Sequence, residues 1–406
     1  MPEFNFVTKT GPVHRAFLTM LMKRKMYNTA VFRLTVLSCL LSACREAPSE
    51  YSLFPAPTDN TADIRIDSLD YEILPLDTIH TSFLGDLYIN NDKLQWVDYR
   101  FCWIFEFDPA GRFLQRRLGQ GKSLKEIPTG LIYSYAPDGK GGFTVIGPQT
   151  DCYVFDSTYT LQNQFLVQDY VVDEDPGESD PDKAGTYTYA YDKLVTRAYD
   201  DELYINIYSE SDDFNFFGDA VPYFREAPLL MGVNLKNARA DRLLGRFSPA
   251  YVQNSDRCKL FVYTGFDIAR NGDFYMAMEA DSLIYQYDRD YRPIRSFGRA
   301  GRGMDCSYPV LRNLDEIQAH YADGRAMGHY DWIEYIDRTG LLFRSYVKSA
   351  EAEVYGLQIY DGTVLVADVD VPVGFRVKGY IAPYYYAVGR IDEENEKIPV
   401  YRFKLD

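Results

Sequence analysis

The chain has 406 residues, with 59 Asp and Glu against 43 Lys and Arg and a formal net charge of −16. A body this acidic repels phosphate backbones, which argues against nucleic acid as a partner. Aromatic residues supply 16% of the chain, Tyr alone 35 of them, and Tyr, Phe and Val enrichment between Gly, Asp and Asn turns favours strands over helices.

In chain order the first element is an apolar run, Leu34 to Ala43, behind the basic cluster Lys23-Arg24-Lys25. The run is about half of the roughly 20 residues a membrane-spanning helix needs. A positive segment, a short apolar stretch and small residues at a cleavage point are the parts of a secretory signal. Leu41, Ser42 and Ala43 followed by Cys44 resemble the lipobox of a bacterial lipoprotein signal peptide. The resemblance implies cleavage before Cys44 and acylation of that residue, so the protein would meet the membrane through an N-terminal lipid. The alternative is a short buried helix that happens to end in Cys. Met20, Met22 and Met26 offer later starts, and residues 1–21 read as an over-extended beginning. Position 45 is Arg, not the Asp that the family uses for inner-membrane retention, so outer-membrane attachment is expected, with the periplasmic or surface face open. Removing residues 1–43 takes away six Lys/Arg and one Asp/Glu and moves the net charge to −21. Residues 44–64, with Pro48, Pro55 and Pro57, read as a flexible tether, and 65–406 as the working body.

That body carries an internal repeat: an apolar strand ending in Asp, a turn and a second apolar strand. The copies are Trp103–Asp108, Cys152–Asp156, Leu283–Asp288, Trp332–Asp337 and Tyr386–Asp392, with a degenerate copy at Met231–Leu235. A further strand precedes several of them, as at Asp86–Ile89, Glu202–Ile205 and Gly272–Met276. A unit of about 50 residues with several strands reads as a propeller blade, because a lone twisted sheet cannot bury both faces and radial stacking covers them. The Asp after each strand fits a turn cap that accepts from local backbone N–H groups. The predicted fold is all-β, a six-bladed propeller of four-stranded antiparallel blades. Tyr71–Leu74 is expected to pair with the last blade near Tyr401–Leu405 and close the ring. The best helix candidate is Leu311 to His320.

The strand-Asp-turn-strand units, followed by the Gly-rich loops Leu118–Lys122 and Phe297–Gly303, resemble the six-bladed TolB-like or NHL-like propeller lipoproteins common in Bacteroidota. The resemblance covers residues 65–406 and implies a fold and an address without a reaction. The Gly-Pro-Gly-Glu continuation of that family is replaced here by Lys122-Ser123 and Met304-Asp305.

Other motifs carry less. Gly121-Lys122-Ser123 mimics the end of a phosphate loop, but position 116 is Arg where the first Gly would stand and no helix start follows, so no nucleotide is expected. Gly298–Gly303 reverses the dinucleotide fingerprint and reads as a crossing between blades. The acidic run Asp173–Asp182 lacks the spacing of a calcium loop and reads as a solvated insertion. Cys102, Cys152, Cys258 and Cys306 have no CxxC spacing, which leaves buried thiols or disulfides. His80, His320 and His329 share no metal-ligand spacing, no GxSxG elbow is present, and no cofactor or metal is expected. Tyr384, Tyr385 and Tyr386 are the candidate ligand surface, with Trp96, Trp103 and Trp332 as further stacking aromatics, against the alternative of packing between blades. Trp103 and Trp332 are placed at equivalent repeat positions, which favours a structural role for both. The functional reading is a binding or scaffold module with a protein or glycan ligand. A glycoside hydrolase or lyase using channel carboxylates is the alternative.

Overall fold

The computed structural model describes residues 49–55, 62–167 and 179–405. The chain divides at Ser52 into a short N-terminal unit and Leu53–Asp406, and the second unit forms the propeller. The lipobox, Cys44, most of the expected tether and the heart of the acidic insertion lie outside the described residues.

Six sheets form the ring. The innermost strands of blades 1 to 6 are Gly85–Asn90, Ser134–Pro137, Thr196–Tyr199, Thr264–Ile268, His329–Ile336 and Arg376–Ile381. Each blade then runs outward through antiparallel neighbours; blade 1, for example, continues as Lys93–Asp98, Trp103–Phe107 and Phe113–Leu118. Blade 3 gains the short strand Thr188–Tyr189, and blade 5 gains Ala62–Ile66, which runs parallel to Val364–Val371. That parallel strand begins three residues before the boundary expected for the body.

Ring closure follows the predicted pairing. Tyr71–Leu74 is the outermost strand of blade 6, with Tyr71 opposite Phe403 and Leu74 opposite Val400. The faces of neighbouring blades bury one another. Phe343, Leu357 and Ile359 of blade 5 pack against Val377, Tyr385 and Phe403 of blade 6. Leu87, Trp96 and Phe105 of blade 1 pack against Leu74, Tyr386 and Val400 of blade 6.

The turn-capping role holds for four of the five repeated acids, including Asp392, which accepts from the Asn395 backbone N–H at 3.1 Å. Asp108, Asp156 and Asp288 each accept from backbone N–H groups two and four residues on, closing the turn between third and fourth strands. Asn234 caps the turn of the degenerate copy in a similar way, accepting from the N–H groups of Lys236 and Asn237, two and three residues on. Blades 5 and 6 correct the predicted phase. His329–Ile336 is an innermost strand, not a third strand, and Tyr384–Val388 is a second strand. Asp337 accordingly caps no turn of its own and accepts from the backbone N–H of Arg270 on blade 4.

The Gly-rich loops cross between blades as expected. Gly298 has φ +126°, and a Cβ there would stand 2.5 Å from the Ser282 carbonyl oxygen, so no larger residue fits without moving backbone. The helix near position 314 begins later than predicted and spans Leu314–Arg325. Asn313 caps it by accepting from Glu316 N, while the Glu316 carboxylate reaches back to Arg312 N. Two shorter helices, Ala220–Glu226 and Pro249–Gln253, carry too few turns to show a helical period in the sequence. All four cysteines of the body are free thiols, three of them buried and Cys306 exposed.

Leu74 joins the closing strand to the core and is 3% exposed. Leu74→Ala is expected to cost about 2–5 kcal/mol, read as a lower urea midpoint. An unchanged midpoint would show that the ring does not depend on this strand.

Candidate functional site

The innermost strands present alternate side chains to the propeller axis, and there these strands carry charge. Arg197 of blade 3 donates from Nε to Asp267 Oδ1 of blade 4 at 2.6 Å and from a terminal nitrogen to Glu334 Oε2 of blade 5 at 3.0 Å. Lys378 of blade 6 reaches Asp86 of blade 1 at 2.6 Å. Arg376 of blade 6 grips Asp331 of blade 5 with two bonds, 2.7 and 3.0 Å. Lys193, entering blade 3, contacts Asp331 at 3.2 Å and Glu279 of blade 4 at 2.9 Å. Arg325, at the end of the long helix, binds Glu279 through both oxygens. These pairs join blades 3 to 6 and 6 to 1. Asn90 donating to the Tyr135 hydroxyl and the Ser134–Thr196 hydroxyl contact complete the circuit through blade 2.

Trp332 sits at the centre of this circuit. Its Nε1 donates to the Val377 carbonyl at 2.8 Å, and the Lys378 amine lies 3.6 Å from its ring centroid. The Arg197 and Arg376 guanidinium groups stand at 5.1 and 5.8 Å from the same ring. Cations over an indole face are attracted by its quadrupole, more strongly where water is scarce. Trp332 lines two cavities, one toward each mouth of the channel, so the indole divides the axis.

The wider mouth opens into a cavity of about 960 Å³. Tyr99, Tyr133, Tyr191 and Tyr355 contribute its aromatic wall, Asp192 and Arg390 charged members of its lining. The Tyr133 and Tyr191 rings meet edge to face at 5.3 Å, and both are exposed. The smaller cavity, about 450 Å³, lies at the other ends of the innermost strands and is lined by Tyr88, Arg197, Asp267, Glu334 and Lys378 among others. Each cavity is within the range of small-molecule sites, and the wider one has the mix of aromatic wall and few polar groups such sites show.

The charges are tuned by burial and by their partners. Burial raises Glu279 and Asp331, but adjacent cations overcome it. Lys193 and Arg325 bring Glu279 down to about 2, and Arg376 with Lys193 holds Asp331 well below the usual carboxylate range. Burial followed by the neighbouring Asp267 charge pushes Glu334 up to about 8, because Arg197 is shared between two carboxylates. Burial lowers the Lys378 amine despite its pairing with Asp86. His329 is buried and brought down to about 4, so it is neutral at physiological pH.

The aromatics singled out in the sequence fall in different places. Tyr386 is 0% exposed and donates to the Pro109 carbonyl, and Tyr385 stacks on Phe403 inside the blade. Tyr384 alone of the triplet is partly exposed, with Arg402 and Lys404 each 4.7 Å from its ring centroid. The expected triple platform is therefore narrowed to one edge, because the strand alternation and blade stacking bury the other two rings. Trp96 is fully buried and donates to Thr81. Trp103 and Trp332 are not equivalent: the first is on a third strand under Arg116, the second on an innermost strand at the axis. No local motif marks the axial charges among the many acids of the chain. Their one sequence signal is charge inside otherwise apolar strands, as in Asp331-Trp332-Ile333-Glu334 and Arg376-Val377-Lys378.

No protein-family model matches the chain, and no curated protein matches it. Among solved structures it is similar to a member of the DUF4221 family from Bacteroides vulgatus, with a TM-score of 0.58 at 11% identity over 85% of this chain and 98% of that one. It is also similar to a Bacteroides fragilis chain considered an exported protein, with a TM-score of 0.47 at 15% identity over 85% of this chain and 97% of that one. At such identities the likeness extends to the fold alone. Among the described residues no helix is long and apolar enough to cross a membrane.

Two predictions follow from the charges. Asp331→Ala leaves Arg376 and Lys193 facing each other without their carboxylate and is expected to cost about 3–5 kcal/mol, measured by urea denaturation. Glu334 binds its proton more tightly folded than unfolded, so its contribution is full below the ordinary value of 4.5 and is lost as pH rises toward about 8. Glu334→Gln should therefore flatten the decline of the urea midpoint between pH 5 and 8. An unaltered slope would refute the assignment.

Proposed function

We propose that the chain is a lipid-anchored, extracytoplasmic propeller of the TolB-like or NHL-like type that acts as a binding module through the wider channel mouth. The observation that carries the reading is the division of labour at the axis. The wall charges are consumed in ion pairs between blades, while the mouth keeps an exposed aromatic pair, Tyr133 and Tyr191, above a cavity of about 960 Å³. Paired charges fix the wall, and aromatic faces offer contact area at low conformational cost. The anchor rests on Leu41, Ser42, Ala43 and Cys44 in the sequence, and outer-membrane attachment rests on Arg45 beside them.

The alternative, a glycoside hydrolase or lyase, has one observation in its favour. Glu334 and Asp267 in the smaller cavity are neighbouring carboxylates, and Glu334 has a raised pKa, as a general acid requires. Yet Asp267 already accepts from Arg197, from Ile268 N at 2.9 Å and from Tyr335 N at 2.7 Å. A carboxylate so committed has little left for a nucleophile or a water. The binding reading accounts for those bonds as structure.

Retention of envelope proteins and glycans on the full chain in detergent, compared with a Tyr133→Ala, Tyr191→Ala double variant, tests the mouth. Loss of about tenfold or more in affinity is expected, since stacked aromatic contacts at a binding centre carry energy of that order. A loss on Tyr384→Ala instead would move the site to the outer edge of blade 6. Glycan cleavage that disappears in Glu334→Gln would establish the enzymatic alternative. Cys44→Ala is expected to abolish incorporation of labelled fatty acid.

A further inference from the structure

We infer that the wider mouth takes a short peptide with both termini free, held by its ammonium at Asp192 and its carboxylate at Arg390. The inference rests on the mouth being the binding site. It starts from which charges there are left over. Asp86 is paired with Lys378, and Asp331 with Arg376 and Lys193. The two that remain outside an ion pair among the described residues are Asp192 and Arg390, both exposed. Asp192 accepts one bond, from the Tyr263 hydroxyl at 3.0 Å, which orients the carboxylate without neutralising it. The backbone N–H of Arg390 is fixed to the Val373 carbonyl at 3.1 Å, which anchors the base of the side chain.

Their positions suit one ligand with two ends. Asp192 stands at the entry to the innermost strand of blade 3, and Arg390 follows the second strand of blade 6. In a ring of six blades those two are opposite one another. The Tyr191 ring next to Asp192 and Tyr355, toward the Arg390 side, line the cavity in between. A guanidinium binds a carboxylate in a planar fork, and a carboxylate accepts from an ammonium at short range.

Long-range electrostatics point the same way. A body of net charge −16, and more acidic still without residues 1–43, repels anions and draws cations without selectivity. A zwitterion meets neither effect at distance and is recognised only where both local charges are met together.

The test uses the full chain in detergent and the tripeptide Ala-Tyr-Ala, measured by calorimetric titration with free termini and as its N-acetylated, C-amidated form. The free form is expected to bind about tenfold or more tightly than the blocked form, the effect of losing a charge-assisted contact. Arg390→Gln and Asp192→Asn should each weaken the free tripeptide and leave the blocked one unchanged. Equal binding of the two forms, or unaltered binding in both variants, overturns the inference. If no tripeptide binds while an envelope protein or glycan is retained in a Tyr133- and Tyr191-dependent way, this inference falls and the mouth remains the site. If the tyrosine variants change nothing that is retained, both fall.

Discussion

The constraint at the axis is that one cation, Arg197, is shared by carboxylates of two other blades. Six innermost strands converge there, and Arg197, Asp267, Glu334 and Lys378 are largely shielded from solvent. A guanidinium presents several donors in a fixed plane, so one Arg197 can bind Asp267 on blade 4 and Glu334 on blade 5 from blade 3. A Lys at that position would offer a point charge without the planar fork that aims separate nitrogens at the two carboxylates. Burial, and then the Asp267 charge competing for the same guanidinium, push the Glu334 carboxyl well above the usual carboxylate range. Buried pairs of this kind add little net stability compared with apolar packing, but losing one partner is costly. They therefore act mainly on geometry, holding each blade at a set angle to the next, while the aromatic and aliphatic faces between blades supply the burial.

This division lets the mouth differ from the wall. Because Lys193, Arg376 and Lys378 are tied to carboxylates of other blades, the cavity inherits a rigid lining whose charges largely cancel. The charges left outside those pairs, Asp192 and Arg390, stand at the rim. Trp332 marks the boundary: with Lys378 against its face and its indole nitrogen fixed to Val377, it lines both cavities.

Much of the architecture was legible in the sequence because a blade writes its outer turns locally. Asp108, Asp156 and Asp288 serve backbone groups within four residues, so strand, turn and strand appear as one contiguous motif. The same pattern misled where a different strand happened to end in Asp. Trp332–Asp337 looks like the other copies, yet its Asp serves a neighbouring blade, and only the pairing of His329–Ile336 with a single partner strand reveals it as innermost. The site was less legible for a related reason. Arg197, Asp267, Glu334 and Lys378 come from four blades, separated by some 180 residues of sequence in all, and no local motif records that they meet. The tyrosine triplet shows the converse: a conspicuous local cluster whose members alternate across a sheet and are taken up by packing.

The strand Ala62–Ile66 has a mechanical consequence. It lies on blade 5, immediately upstream of the closing strand on blade 6, and the two form successive grips of one N-terminal segment on the rim. Tension entering from the N-terminal side must first strip the parallel strand from Val364–Val371 before any load reaches Tyr71–Leu74. Ala62–Ile66 is thus a sacrificial link: a pull from that side spends itself on five residues outside the four-stranded frame of blade 5 before the closing strand is loaded.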